Sequence, residues 1–134
     1  MAQNIAVYDA KDCIIDVGGV IITGVTEDMV TCEKDEEHFT TSVGAQGDVV
    51  KNINHNPLGT ITIGLQATSP QAVYLRELAE SQEDVAIWVT NKSLGIKSGG
   101  TKAAVKNSPS ISQGKEVGDQ EYAFQVFDYS VQAA

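Results

Sequence analysis

Long hydrophobic runs are absent from this sequence. The longest apolar stretches, Cys13-Ile14-Ile15, Val20-Ile21-Ile22 and Val85-Ala86-Ile87-Trp88-Val89, fall far short of the ~20 residues that a membrane-spanning helix needs. No stable membrane anchoring is therefore expected. Basic charge is also scarce: 9 Lys and Arg stand against 18 Asp and Glu, giving a formal net charge of -9 and a pI near 4.5. So acidic a chain repels phosphate backbones, and nucleic-acid binding by counterion release is not expected of it. The charge fits a soluble surface, or one past which a polyanion slides without sticking. Cysteine is limited to Cys13 and Cys32. Met1-Ala2-Gln3-Asn4 carries neither positive charge nor an apolar block behind it, so no secretory leader is expected. Without an oxidising compartment, both thiols read as half-buried and free.

Catalytic motifs are missing too. The histidines are His38 and His55, and no Gly-x-Ser-x-Gly element accompanies either. Carboxylates are plentiful, but nothing in the sequence pairs two of them across a cleft. The run Asp35-Glu36-Glu37-His38 places at most two side chains on one side of an extended strand. It reads as a solvated acidic turn, and the short-spaced Cys and His pairs of a zinc site are not present. Gly95 and Gly100 stand at phosphate-loop spacing, but Thr101-Lys102 follows where Lys then Ser or Thr is required. No catalytic, cofactor-binding or metal-binding residue is assigned, no cofactor is expected, and the chain reads as non-enzymatic.

What is present is β structure. With 134 residues, 42% of them hydrophobic, one domain spanning 1–134 is the expectation. Residues 1–11 are polar and irregular, with Ile5, Val7 and Tyr8 available to dock. Asp12–Val17 and Val20–Gly24 read as strands joined at Gly18-Gly19, and Met29–Lys34 as a third. His38–Val43, the turn Gly44–Asp48 and Val49–Asn54 form a further strand pair, broken by Asn54-His55-Asn56-Pro57. Gly59–Ala67 alternates cleanly, with Ile61, Ile63, Leu65 and Ala67 on one face and Thr60, Thr62, Gly64 and Gln66 on the other. The period then becomes helical: Ser69 caps a helix over about 70–82, with Pro70 at its first position and Ala72, Leu75, Leu78 and Ala79 at helical spacing. Asp84–Thr90 is a strand carrying a buried-tryptophan candidate, Trp88. Residues 91–120, with Pro109, read as a long loop holding a short strand near Lys102–Lys106. Glu121–Val131 closes the chain as one aromatic strand, with a bulge at Phe127. Seven or eight strands and one helix make a mainly β chain: two packed antiparallel sheets or a partly open barrel, with the helix over one edge or end.

Two polar faces stand out for being uncharged. His38, Thr40 and Ser42 form one, and Thr60, Thr62, Gly64 and Gln66 the other, each backed by an apolar face. Two explanations stay open: an ordinary solvent-facing sheet, or the wet wall of a channel built when several copies join their sheets and so protect their edges.

The order Asp-Glu-Glu-His-Phe-Thr-Thr-Ser-Val-Gly-Ala-Gln-Gly-Asp-Val-Val-Lys-Asn from Asp35, then Asn-Pro-x-Gly-x-Ile-Thr-Ile-x-Leu from Asn56, then Thr68-Ser69-Pro70 opening a helix, resembles the tail-tube proteins of contractile-tailed phages. Tyr8-Asp9-Ala10-Lys11-Asp12, with the strand after it and Val20–Gly24, is similar to that family as well, so the likeness runs from about Tyr8 to Val131. Gln46 stands where the family pattern has an acidic residue, and 91–120 matches no part of it. The resemblance implies a two-sheet β fold with a helix, and a non-enzymatic subunit of hexameric rings whose inner sheets merge into a continuous barrel. Such rings stack into a tube inside a contractile sheath, in a phage tail or a related injection particle. The implied location is the virion tail, assembled in the host bacterial cytoplasm. The implied partners are other copies of the chain, the sheath protein, baseplate and tail-terminator proteins, and a tape-measure protein or DNA passing through the lumen. Phe39, Val43, Gly44, Gly47, Asn52, Gly59, Ile61, Ile63 and Leu65 match positions that build the inner hairpin and its ring contacts. His38, Thr40, Ser42, Thr60, Thr62 and Gln66 are the lumen candidates. The competing possibility is a monomeric or dimeric β-sandwich that binds a carbohydrate or a protein.

Overall fold

Gly18 and Gly19 turn the chain with positive φ, and β-branched runs on either side of them extend as paired strands, as their composition dictates. The computed structural model describes residues 10–66, 68–106 and 118–133. Ile5, Val7, Tyr8, Ala67 and Pro109 lie outside the described residues. Within them run ten strands: β1 (Cys13–Val17), β2 (Val20–Ile21), β3 (Val25–Lys34), β4 (Phe39–Val43), β5 (Val49–Ile53), β6 (Gly59–Leu65), β7 (Val85–Asn91), β8 (Ile96–Val105), β9 (Gln120–Val126) and β10 (Ser130–Ala133). Helix α1 (Ala72–Ser81) lies between β6 and β7.

Every strand pairing is antiparallel. Eight strands form one sheet in the order β2-β1-β7-β8-β9-β6-β3, with β10 beside the first half of β8; β4 and β5 form a separate two-stranded sheet. Among the described residues no closed barrel results. The long strand β8 changes partner midway, from β10 at Ile96–Gly99 to β9 at Ala103–Val105. One hydrophobic core gathers Ile15 and Val17 of β1, Ile87 and Val89 of β7, Ile61, Ile63 and Leu65 of β6, Tyr122, Phe124 and Val126 of β9, and Leu75 and Leu78 of α1. Cys13 and Cys32 are free, half-buried thiols packed against it, and burial pushes both above the usual thiol range, Cys32 to about 11.

Four expectations change. Residues 91–105 are not a loop: after a turn at Gly95, ten residues form β8, including the glycines at phosphate-loop spacing. Glycine is required there by close approach, since a Cβ on Gly99 would stand 1.9 Å from the Ile87 carbonyl oxygen and one on Gly100 2.4 Å from Asp128 Oδ1. The aromatic C-terminal segment is two strands, not one. It breaks at Phe127–Tyr129 because the Asp128 carboxylate accepts from the Thr101 amide (3.0 Å), the Lys102 amide (3.1 Å) and the Thr101 hydroxyl, fastening the turn to β8 where β8 changes partner. Trp88 is only half-buried, on the face opposite Ile87 and Val89, with the Lys97 ammonium 4.5 Å from its ring centroid. The helix begins at Ala72 after Gln71, and Ser69 is not its cap: the Ser69 hydroxyl donates to the Thr23 carbonyl (2.6 Å), tying the helix approach to the segment between β2 and β3.

Candidate assembly surface

The candidate residues fall in two places. The first is the hairpin β4–β5, which pairs with no other strand among the described residues. Its turn is closed by the Gly44 amide on the Asp48 carbonyl (2.8 Å) and the Gly47 amide on the Gly44 carbonyl (2.9 Å), with Gly47 at φ +91, a conformation that glycine adopts without strain. The register pairs Phe39 with Ile53, Thr41 with Lys51 and Val43 with Val49, so these six side chains share one face. That face is apolar and open to solvent: Phe39 is 46%, Val43 66%, Val49 65% and Ile53 65% exposed. Lys51 completes it, its ammonium 4.6 Å from the Phe39 ring centroid. Thr40, Ser42 and Asn52 lie on the other face with Val50, and Asn52 reaches toward the Ser42 hydroxyl at 3.5 Å.

The second place is β6. Ile61, Ile63 and Leu65 are fully buried within the chain. They hold β6 in its own sheet, with their side chains turned into the core. Gly59 is also covered: a Cβ on it would stand 2.3 Å from the Tyr129 ring. Thr60 and Thr62 face away from the core, half-buried, in register with Glu33 and Thr31 of β3 and with Gln125 and Ala123 of β9. Gln66 lies past the end of β6, exposed, its amide on the Gly24 carbonyl. The two groups of lumen candidates thus belong to two separate sheets.

They are linked at the root of the hairpin. On the way in, the Asp35 amide donates to the Leu58 carbonyl (3.1 Å), and the Asp35 carboxylate accepts from the Thr60 hydroxyl (2.5 Å) and from Gln125 Nε2 (3.0 Å). On the way out, the Asn54 amide donates to the His38 carbonyl (2.8 Å) and its side-chain amide to Glu36 (2.7 Å). Asn54 and Asn56 then accept from the Asn56 and Leu58 amides, two successive Asx turns. The hydrogen bonds from Thr60 and Gln125 hold the Asp35 carboxyl below its ordinary range, and those from Asn54 and Asn56 do the same for Glu36. The acidic run is exposed, as the sequence suggests, yet two of its carboxylates are engaged. Sequence reasoning did not pick out Asp35, Gln125, Val49 or Ile53. Alternation of Val49, Lys51 and Ile53 opposite Phe39 was the signal available for the last two; none pointed to the link from Asp35 to Gln125.

The profile of the family described as bacteriophage PhiTE tail tube protein matches residues 8–130. The chain belongs to this tail tube family. Solved structures agree in fold. A chain of the sheath/tube terminator of PVC, an extracellular contractile injection system, in its extended state superposes with a TM-score of 0.70 at 16% identity, covering 98% of this chain and 100% of that one. A chain of the PVC sheath-tube complex in the extended state gives 0.68 at 16% identity, over 95% and 92%. The tube-terminating cap of the anti-feeding prophage gives 0.63 at 16% identity, over 98% and 97%. No curated protein matches the chain. This tail tube protein is therefore a structural component of a phage-like tail.

Proposed function

We propose that the tail tube protein polymerises with copies of itself, as hexameric rings that stack into a hollow tube within a contractile sheath. The single observation that carries this is the β4–β5 hairpin, which presents Phe39, Val43, Val49 and Ile53 to solvent while the rest of the chain has a core of its own. Burying each such side chain against a partner is worth about 1.5–3 kcal/mol relative to leaving it exposed. An apolar face on a protruding hairpin is therefore a contact surface awaiting a second copy. Thr60 and Thr62, on the half-buried outward face of the main sheet, are the side chains proposed to line the channel. Through it would pass DNA or a tape-measure protein, toward delivery or membrane puncture. Baseplate and terminator proteins would close the ends, in a virion tail assembled in the bacterial cytoplasm. The role is mechanical and needs no catalysis or cofactor.

A second reading concerns place in the tube. Chains of a tube, a terminator and a cap all share this fold at similar TM-scores, so the same scaffold serves a repeated ring and a last one. One experiment separates the readings. The purified chain is concentrated and followed by size-exclusion chromatography and negative-stain microscopy. A repeated subunit gives tubes with a central hole that lengthen with concentration, and a terminator gives rings that stop at one layer. A clean monomer at high concentration would overturn both and favour a free-standing β-sandwich.

A further inference from the structure

We propose that Asp35 is a positioning residue for assembly: it fixes the direction in which the β4–β5 hairpin leaves the body, by tying the hairpin's root to Thr60 and Gln125. The proposal rests on the tube reading above. The hairpin is a two-stranded sheet with no neighbouring strand among the described residues, so its direction is set where its two connections meet the body. Asp35 is the point at which the entering connection is bonded to two body strands at once, to Thr60 of β6 and to Gln125 of β9. Gln125 also donates to the Gly59 carbonyl (2.9 Å), which keeps its amide aimed at Asp35. The leaving connection is held differently, within the root by the Asn54 and Asn56 turns and by Glu36, and to the body by a backbone bond from the Tyr129 amide to the Pro57 carbonyl (3.0 Å). Asp35 therefore supplies, among the described residues, the side-chain link from the hairpin root to both β6 and β9.

Lever geometry shows why this matters. A five-residue strand rises about 3.3 Å per residue, so the hairpin extends roughly 17 Å beyond its root. A swing of about 20° there would carry the tip some 6 Å, more than the ~4 Å range of an apolar contact. An untethered hairpin would still pair β4 with β5, yet would present Phe39 and Val43 in the wrong place. Thr60 and Gln125 are outward-facing side chains outside the hydrophobic core, so loss of the tether leaves the fold standing.

The test uses the full chain and the variants Asp35→Ala, Thr60→Val and Thr60→Ser. Two quantities are read: the critical concentration for tube formation, by light scattering and microscopy, and hydrogen exchange of the Asp35 and Asn54 amides in the unassembled subunit. Asp35→Ala and Thr60→Val are expected to raise the critical concentration at least ~10-fold, a change of about 1.4 kcal/mol per contact set. They should also speed exchange of the two root amides while exchange in β6 and β9 stays the same. Thr60→Ser keeps the hydroxyl and should restore both quantities. Unchanged assembly or unchanged root exchange in Asp35→Ala overturns the proposal; if that variant does not fold, Thr60→Val against Thr60→Ser decides on the same two measures. A wild-type chain that forms no tube removes the tube reading, while root exchange in the subunit still judges the tether.

Discussion

β6 and the β4–β5 hairpin are built from similar material, short runs of Thr, Ile and Val in alternation, yet Ile61, Ile63 and Leu65 are 0% exposed while every residue of β4 and β5 is exposed. The difference lies in neighbours. β6 is paired on both edges, by β3 and β9, and its apolar face meets the strands across the core. Among the described residues the hairpin has one pairing and no third strand, a state that is marginal in water for an isolated pair. Alternation therefore determines which side chains share a face, and the rest of the molecule determines whether that face is covered. In the tube proposed above, the uncovered face is the one that would meet another subunit.

The largest expected effect breaks the comparison most directly. Phe124 of β9 is fully buried and Phe39 of β4 is 46% exposed. Phe124→Ala should destabilise the isolated subunit by about 3–5 kcal/mol through lost burial and the cavity left behind. Phe39→Ala should change subunit stability by no more than about 0.5 kcal/mol, as surface substitutions do, while sharply reducing tube formation. Chemical denaturation of both variants measures the first pair of values and sedimentation the second. If Phe39→Ala costs the subunit ~2 kcal/mol or more, the hairpin packs onto its own body and the contrast between the two regions fails.

A smaller effect sharpens the contrast in time. Ordering backbone costs about 1–2 kcal/mol per residue, and in the free subunit the hairpin has only its own ladder and root bonds to offset it. Amides of Thr40–Val43 and Val49–Asn52 are expected to exchange orders of magnitude faster than those of β6 in the subunit, and to gain protection in assembled tubes. Equal protection in the two states would mean that the hairpin is ordered without a partner, and would remove the case for ring contacts through this face.

Much of this was legible in the sequence because it is local. The glycine turn after β1, the alternation of Gly59–Leu65 and the helical spacing of Ala72, Leu75 and Leu78 each fix an element without reference to the rest of the chain. The polar face of His38–Val43 and the apolar face behind it were legible for the same reason. β8 was not: its Gly99-Gly100 pair reads as a loop signal, and glycine is present because Ile87 and Asp128 approach there from other strands. The break between β9 and β10 depends on Asp128 meeting Thr101 and Lys102, and the displaced helix start on Ser69 meeting Thr23. The hairpin root has the same character, since Asp35 meets residues 25 and 90 positions away. Contacts of that kind leave no periodic trace.

The smallest expected effect is a pH dependence that belongs to the root alone. Hydrogen bonds from Thr60 and Gln125, aided by the nearby Lys106 charge, hold the folded Asp35 carboxyl below its ordinary value. A depressed carboxylate contributes fully above its unfolded pKa and loses that contribution as pH falls through the folded one. Glu36, held down by Asn54 and Asn56 and opposed by the Asp35 charge, moves the same way on the other connection. Acid also reduces the net charge of -9 and with it the repulsion between copies, so the wild-type critical concentration by itself mixes two trends of opposite sign. Asp35→Asn separates them, because it shares the general charge reduction and has no carboxylate to protonate at the root. The gap in critical concentration between wild type and Asp35→Asn should be full at neutral pH and close as pH falls below the usual carboxylate range. Carboxyl-detected NMR on the subunit should place the Asp35 midpoint below the ordinary aspartate value. A gap independent of pH down to the acid limit would show that the charge of Asp35 has no part in holding the hairpin, and would leave its direction to the Asn54 and Asn56 turns.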